Sequence, residues 1–101
     1  MSRRVSFRPE AEAEALETRD WYEGRRPGLG AQFRAALDET IERVADNPIQ
    51  FRLVRGATRR AILNRFPYAV YFRVTETDVV VLAVHGRQHP RRWRSRLSVS
   101  T

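Results

Sequence analysis

Five arginines around one tryptophan near the C-terminus are the residues whose types and spacing best suit chemistry. They are Arg87, Arg91, Arg92, Arg94 and Arg96, with Trp93 among them. Guanidinium groups bind phosphates and carboxylates through paired hydrogen bonds, and an indole ring offers a plane on which a base can stack. All twelve aspartates and glutamates of the chain lie elsewhere, so the cluster predicts a binding surface, with a solvated basic face as the alternative.

Charge is divided unequally between the two halves of the chain. Residues 1–50 carry eight arginines against ten aspartates and glutamates, a net charge of −2. Residues 51–101 carry eleven arginines against Glu76 and Asp78, a net charge of +9, and the whole chain therefore has a formal charge of +7. We interpret the first half as structural and the second as a positive field that attracts an acidic partner or nucleic acid.

Two histidines, His85 and His89, are four residues apart, a spacing that on a helix presents both rings to one metal ion. Gly86 and Pro90 argue against a helix through both, and neither a cysteine nor a neighbouring carboxylate supplies a further ligand. The sequence therefore predicts no metal and no cofactor. His85 is better suited to act as a general base, because imidazole titrates near neutral pH. A histidine bonded to backbone at a strand end is nevertheless the commoner arrangement.

Other polar side chains are interpreted structurally. Tyr68 and Tyr71 are predicted to lie on opposite faces of one strand, so that only one of them can pack in the core. Trp21 and Tyr22 are predicted to anchor the end of a helix. Four glutamates are expected to form a solvated acidic face of that helix: Glu10, Glu12, Glu14 and Glu17.

Length and composition limit the class of protein. The 101 residues predict a single domain spanning residues 1–101. Cysteine is absent, which excludes disulfides and thiolate metal sites. No apolar run reaches the roughly 20 residues of a membrane span, and we expect no signal peptide because the basic N-terminus lacks an apolar stretch behind it. We therefore expect a cytoplasmic protein.

The second half of the chain predicts an antiparallel meander of three strands. The residues from Ala69 to Val74 alternate between a buried and an exposed face, and the run from Val79 to Val84 is almost wholly apolar. Small polar residues between these runs predict a turn. A third strand is predicted at Arg60–Leu63, and the meander then places His85 at the end of its last strand.

The first half predicts a strand followed by two helices. Arg4–Phe7 is expected to form an edge strand, and Pro9 to begin a helix that ends near Glu23. The second helix has one apolar stripe and stops at Asn47-Pro48; the stripe consists of Leu29, Phe33, Leu37, Ile41 and Val44. We expect an irregular connection at 51–56. The predicted fold is α+β, in which an N-terminal strand and an antiparallel helical hairpin pack on a small, mainly antiparallel sheet (β-α-α-β-β-β) with a basic C-terminal tail.

In combination these motifs closely resemble the RelE/ParE superfamily of toxins. In the second half they are Arg59-Arg60 before a strand, Phe66-Pro67-Tyr68-Ala69-Val70-Tyr71, the strand Val79–Val84, His85-Gly86-Arg87, and Pro90 to Trp93. In the first half they are Trp21-Tyr22, Pro27-Gly28-Leu29-Gly30, Phe33 and Asn47-Pro48. The resemblance covers nearly the whole chain. It implies the toxin of a bacterial type II toxin–antitoxin system, bound and neutralised by an acidic antitoxin in a hetero-oligomer that contacts operator DNA only through the antitoxin.

The superfamily contains two activities of different kinds. Its RelE-like members cleave messenger RNA on the ribosome, whereas ParE-like members inhibit DNA gyrase and are not nucleases. This chain has Ala69 where the RelE-like pattern has arginine, and Trp93 where that pattern has tyrosine. Arg60 and Arg87 do match basic positions. The departures would remove transition-state stabilisation and a proton donor, so the resemblance favours the ParE-like or plasmid-stabilisation branch, with the nuclease as the alternative.

The resemblance also implies roles for individual residues. Under the gyrase interpretation no catalytic residue is expected; under the nuclease alternative the catalytic residues would be Arg60, His85 and Arg87. The target is expected to contact Arg87, Arg91, Arg92, Trp93 and Arg94. The antitoxin is expected to contact Arg59, Arg60, Arg65 and Arg73.

Overall fold

A computed structural model describes residues 2–86. Its elements, in chain order, are β1 (Arg4–Phe7), α1 (Pro9–Arg25), α2 (Leu29–Asp46), a short 3-10 turn (Pro48–Gln50), β2 (Arg52–Arg55), β3 (Thr58–Ile62), β4 (Tyr68–Val74) and β5 (Asp78–Gly86). The α+β prediction, with its N-terminal strand and helical hairpin, is confirmed. The predicted basic tail beyond Gly86 lies outside the described residues.

The strands form one mixed sheet of five in the order β1-β5-β4-β3-β2. The meander is confirmed, because β2, β3, β4 and β5 pair antiparallel in sequence. β1 lies at one edge, as expected, and pairs parallel with β5 from Asp78 to Val81. Beyond Val81, therefore, β5 continues without a neighbouring strand on that side.

The structure corrects one connection, because Arg52–Arg55 is a strand where the sequence predicted an irregular segment. Gly56, at a φ of 54°, forms the tight turn that folds β2 back on β3. The pairing places Arg52 directly opposite Arg60. Like charges facing each other are unfavourable in a sheet. The sequence Arg52-Leu53-Val54-Arg55 also places its two apolar residues side by side, so it lacks the alternation that would have predicted a strand.

The core lies between the helical hairpin and one face of the sheet. The apolar stripe of α2 is confirmed, since Phe33, Leu37 and Val44 are fully buried. α1 contributes small residues, Ala11 and Ala15, which let its backbone approach the sheet closely.

The hairpin requires a glycine where its two helices meet. A β-carbon on Gly30 would lie 2.7 Å from the carbonyl oxygen of Arg19, so only glycine fits there without movement. The Glu23 carboxylate accepts hydrogen bonds from the backbone N–H groups of Gly28 and Gly30, each at 3.0 Å. These bonds satisfy donors that the start of α2 leaves without helical partners.

Four aromatic rings pack together at one end of the core and fix the loop between β3 and β4. Tyr22 and Phe33 lie 4.9 Å and 5.4 Å from Phe66, measured between ring centroids, and Tyr68 completes the group. Tyr22 is therefore the predicted anchor of α1. Trp21 is not, because half of it is exposed and Arg25 lies over its ring at 4.3 Å.

No helix among residues 2–86 is both long and apolar enough to cross a membrane.

Candidate functional site

The side of the sheet that faces away from the helical hairpin, called here the open face, carries a second, smaller apolar cluster. Along β4 the side chains alternate, so that Val70 and Phe72 join the main core while Ala69 and Tyr71 point to the open face. Leu82 and Ala83 of β5 join the latter. The predicted separation of the two tyrosines is confirmed, because Tyr68 packs against the main core and Tyr71 belongs to the open face.

A groove of about 410 Å³ opens at this face beside the β3–β4 loop. We call it the basic groove. It is lined by Arg60, Ile62, Arg65, Phe66, Pro67, Tyr68, Ala69, Tyr71 and His85. Strands β3, β4 and β5 therefore each contribute to it, and the loop between β3 and β4 forms its rim.

Arg60 and Tyr71 are coupled across the groove. They are direct partners in the β3–β4 register, and their side chains are hydrogen-bonded, with the guanidinium donating to the phenol oxygen. Burial raises the pKa of Tyr71, and the bond and charge of Arg60 only partly oppose that rise. The Tyr71 hydroxyl thus stays protonated at neutral pH and cannot serve as a general base.

Arg65 holds an unusual backbone conformation at the rim. Its φ is 70°, the left-handed region that disfavours side chains with a β-carbon. Residues on both sides fix this conformation, since the Asn64 amide donates to Glu39 at 3.1 Å and the Phe66 ring is buried in the core. Such a conformation costs about 1–3 kcal/mol and persists only where the surroundings impose it.

His85 is held by an acidic residue of α1. Its Nε2 lies 2.7 Å from Oε2 of Glu14, and both residues are buried. The other carboxylate oxygen of Glu14 accepts a hydrogen bond of 2.9 Å from the backbone N–H of Val84. Glu14 thereby covers the stretch of β5 that β1 does not reach.

This contact corrects two expectations. Glu14 is not part of a solvated acidic face, and His85 does have a neighbouring carboxylate. A sequence signal for this existed, because Glu14 shares a helical face with Ala11, Ala15 and Thr18, which are also buried. A glutamate on the apolar side of an alanine-rich helix indicates a buried partner.

The four arginines predicted to contact an antitoxin separate into two groups. Arg60 and Arg65 both line the basic groove. Arg59 points to the helical side, where it donates to the carbonyl oxygen of Phe51 at 2.7 Å and ties the 3-10 turn to the sheet. Arg73 is half-buried opposite Val80, away from the groove. Their binding roles stay predictions.

The predicted target surface and the second histidine lie outside the described residues. The target surface consists of Arg87, Arg91, Arg92, Trp93 and Arg94, and the histidine is His89; Arg96, the last arginine of the cluster, also lies outside the described residues. Within residues 2–86 there is no group of three or more histidines, aspartates or glutamates placed to hold a metal ion. Glu14 and His85 provide two donors, fewer than a closed tetrahedral site requires.

Comparison with known proteins agrees with this geometry. A family model described as "ParE toxin of type II toxin-antitoxin system, parDE" matches residues 5–90. No curated protein matches the chain. One similar solved structure is the chromosomal ParDE toxin–antitoxin system from P. aeruginosa, at a TM-score of 0.74 and 17% identity over 84% of this chain and 96% of that one. Another is the RelBE2 toxin–antitoxin complex from Mycobacterium tuberculosis, which has a TM-score of 0.62 and 19% sequence identity. That match covers 86% of this chain and 100% of the other. At these identities the two structures share the fold.

Proposed function

Because the chain belongs to the ParE toxin family of type II toxin–antitoxin systems, we propose that it inhibits DNA gyrase and that a cognate antitoxin neutralises it. The family match over residues 5–90 is the observation that carries this proposal. Gyrase is the expected target because the sequence fits the ParE-like branch better than the RelE-like branch.

The chemistry of the basic groove supports a binding role over catalysis. The position after Pro67-Tyr68 is Ala69, whose methyl group cannot stabilise a charged transition state. The raised pKa of Tyr71 removes it as a base, and Nε2 of His85 is already engaged by Glu14 inside the protein. Neither Tyr71 nor His85 is therefore well placed to take a proton from a substrate in this groove.

The alternative is a ribosome-dependent messenger ribonuclease. The observation in its favour is that Arg60 and His85, predicted as catalytic under that activity, line the same groove. Catalytic hydrogen bonds are often long or poorly aligned before the substrate binds. Cleavage of messenger RNA is therefore measured together with gyrase inhibition.

We further propose that the antitoxin is acidic and binds the second half of the chain, where the net charge is +9. Opposite charge speeds the encounter of two proteins and selects partners. We propose that the complex is a cytoplasmic hetero-oligomer in which only the antitoxin contacts operator DNA. Such a toxin–antitoxin pair would favour maintenance of the plasmid or other DNA that encodes it.

The target surface is proposed to be the arginine-rich segment that follows β5. Induction of the chain in bacteria should trigger a DNA-damage response before translation stops. The variant Arg87→Ala/Arg91→Ala/Arg92→Ala/Arg94→Ala should lose toxicity while keeping the far-UV circular dichroism of the wild type. The matched control is Arg4→Ala/Arg8→Ala/Arg26→Ala/Arg55→Ala, which removes the same charge from exposed positions and should remain toxic. Cleaved messages on ribosomes before any damage response would instead establish the nuclease.

A further inference from the structure

We infer that the basic groove is a carboxylate-binding site that receives an acidic side chain from an extended partner segment, while an aliphatic neighbour of that side chain packs on Ile62. The inference rests on the proposed function, since the partner would be the antitoxin, but it assigns the contact to one groove and to two of its residues, Arg60 and Arg65.

The charges of the groove are not balanced within the described residues. Ion pairs between residues 2–86 join Arg19 to Asp20, Arg34 to Asp38 and His85 to Glu14. In that part of the chain no carboxylate pairs with Arg60 or Arg65. Arg65 also borders a smaller pocket that contains Glu39, but no carboxylate among residues 2–86 lines the basic groove itself. Its two guanidinium groups therefore create a local positive potential that favours an anion.

The groove is also built to hold its arginines in place. Arg60 is half-buried and bonded to Tyr71, which limits the conformations of its guanidinium before any partner arrives. Arg65 occupies a left-handed conformation, at a φ of 70°, that glycine or asparagine would adopt more easily. An arginine at a position that suits smaller residues is consistent with a use for its guanidinium.

The apolar lining favours a peptide over a nucleic acid. Single-stranded nucleic acids bind through aromatic faces on which their bases stack. Here Tyr71 is 5% exposed and Phe66 is 9% exposed, and the half-buried Tyr68 ring packs against Tyr22 and Phe33. None of the three presents a fully open stacking face, whereas Ile62 is 51% exposed. An exposed isoleucine beside two arginines complements a segment in which carboxylate and aliphatic side chains occur together.

Binding of a defined peptide to the full chain tests the inference. The probe is a fluorescein-labelled Glu-Glu-Leu-Leu repeat of about eight residues, which places both side-chain types on each face of an extended strand. A peptide with glutamine in place of glutamate removes only the charge. A single-stranded oligoribonucleotide with the same number of negative charges is the third probe. Fluorescence anisotropy at one fixed salt concentration gives the three dissociation constants.

Two groove variants and one matched control decide the result. Arg60→Gln and Arg65→Asn should each raise the Kd of the glutamate peptide about five- to tenfold, equivalent to about 1–1.4 kcal/mol. Arg65→Asn suits the left-handed backbone, so its loss of binding cannot be assigned to unfolding. Arg55→Asn removes an exposed charge outside the groove and should change the Kd less than about twofold.

The inference is overturned if the wild type does not bind the glutamate peptide or binds the glutamine peptide equally well. It is also overturned if Arg55→Asn weakens binding as much as the groove variants, or if the oligoribonucleotide binds more tightly and loses affinity with them. The proposed function fails separately. If the chain inhibits gyrase but both groove variants bind the peptide as tightly as the wild type, only this inference is wrong. Peptide binding through the groove without gyrase inhibition removes the gyrase proposal.

Discussion

The two faces of the sheet are built from the same strands but in different ways. On the helical side, Phe72 and Val70 of β4 join a core that contains the buried part of the α2 stripe, Phe33, Leu37 and Val44. On the open face, the same strand presents Ala69 and Tyr71 to a groove that also holds two arginines. Because neighbouring side chains alternate between faces, one strand serves the core and the binding surface at once. Substitutions one residue apart should therefore have different consequences.

The helical face should dominate stability. Phe33 is fully buried and lies within 5.6 Å of Tyr22, Phe66 and Tyr68, measured between ring centroids. We expect Phe33→Ala to lower the free energy of unfolding by about 3–5 kcal/mol, because it removes apolar contacts and leaves a cavity. Ile62→Ala on the open face should cost less than about 1 kcal/mol. Urea denaturation of both variants measures the difference, and equal losses would contradict the division between the faces.

Glu14 connects the helical hairpin to β5 and should have the next largest effect. Glu14→Ala removes the acceptor of the Val84 N–H and the carboxylate beside His85, both in a buried setting. We expect a loss of about 2–4 kcal/mol in the free energy of unfolding. Glu12→Ala, in the exposed part of the same helix, should change stability by less than about 0.5 kcal/mol. A similar small change for Glu14→Ala would show that the buried contact contributes little.

The tyrosines predict a loss of stability in alkali. Burial raises the pKa of Tyr71, and burial together with the charge of Tyr68 raises the pKa of Tyr22, both above the ordinary value of 10.0. Above that pH the unfolded chain releases protons that the folded chain retains, so the free energy of unfolding should fall as pH rises. Well below pH 10.0 both tyrosines are protonated in the folded and the unfolded chain, so the stability of the folded chain is fully retained. Urea titrations on both sides of that pH test this, and Tyr71→Phe should reduce the slope. A variant with the slope of the wild type would exclude Tyr71 as its source.

The sequence predicted the elements with a regular apolar pattern and missed those without one. α2 and the β4–β5 hairpin have clear periodicity, and their positions were confirmed. β2 was missed because Arg52 and Arg55 hide its alternation and its pairing depends on the turn at Gly56.

The candidate site was only partly predictable for a similar reason. Arg60 and Arg65 could be selected by charge, but only the register of β3 with β4 shows which arginines share a face. Arg59 is one residue from Arg60 and points to the opposite side, where it bonds to backbone. Glu14 and His85 are 71 positions apart in the chain. A local sequence pattern can indicate that Glu14 is buried, but it cannot identify His85 as its partner.

The most direct test of the central claim is DNA supercoiling by gyrase in the presence of the purified chain. We expect concentration-dependent inhibition, relieved by the cognate acidic antitoxin, while messenger RNA on programmed ribosomes stays intact in a parallel reaction. The four-arginine variant of the C-terminal segment should not inhibit, and its four-arginine control should. Full supercoiling activity at saturating toxin, together with cleaved message in the parallel reaction, would contradict the account.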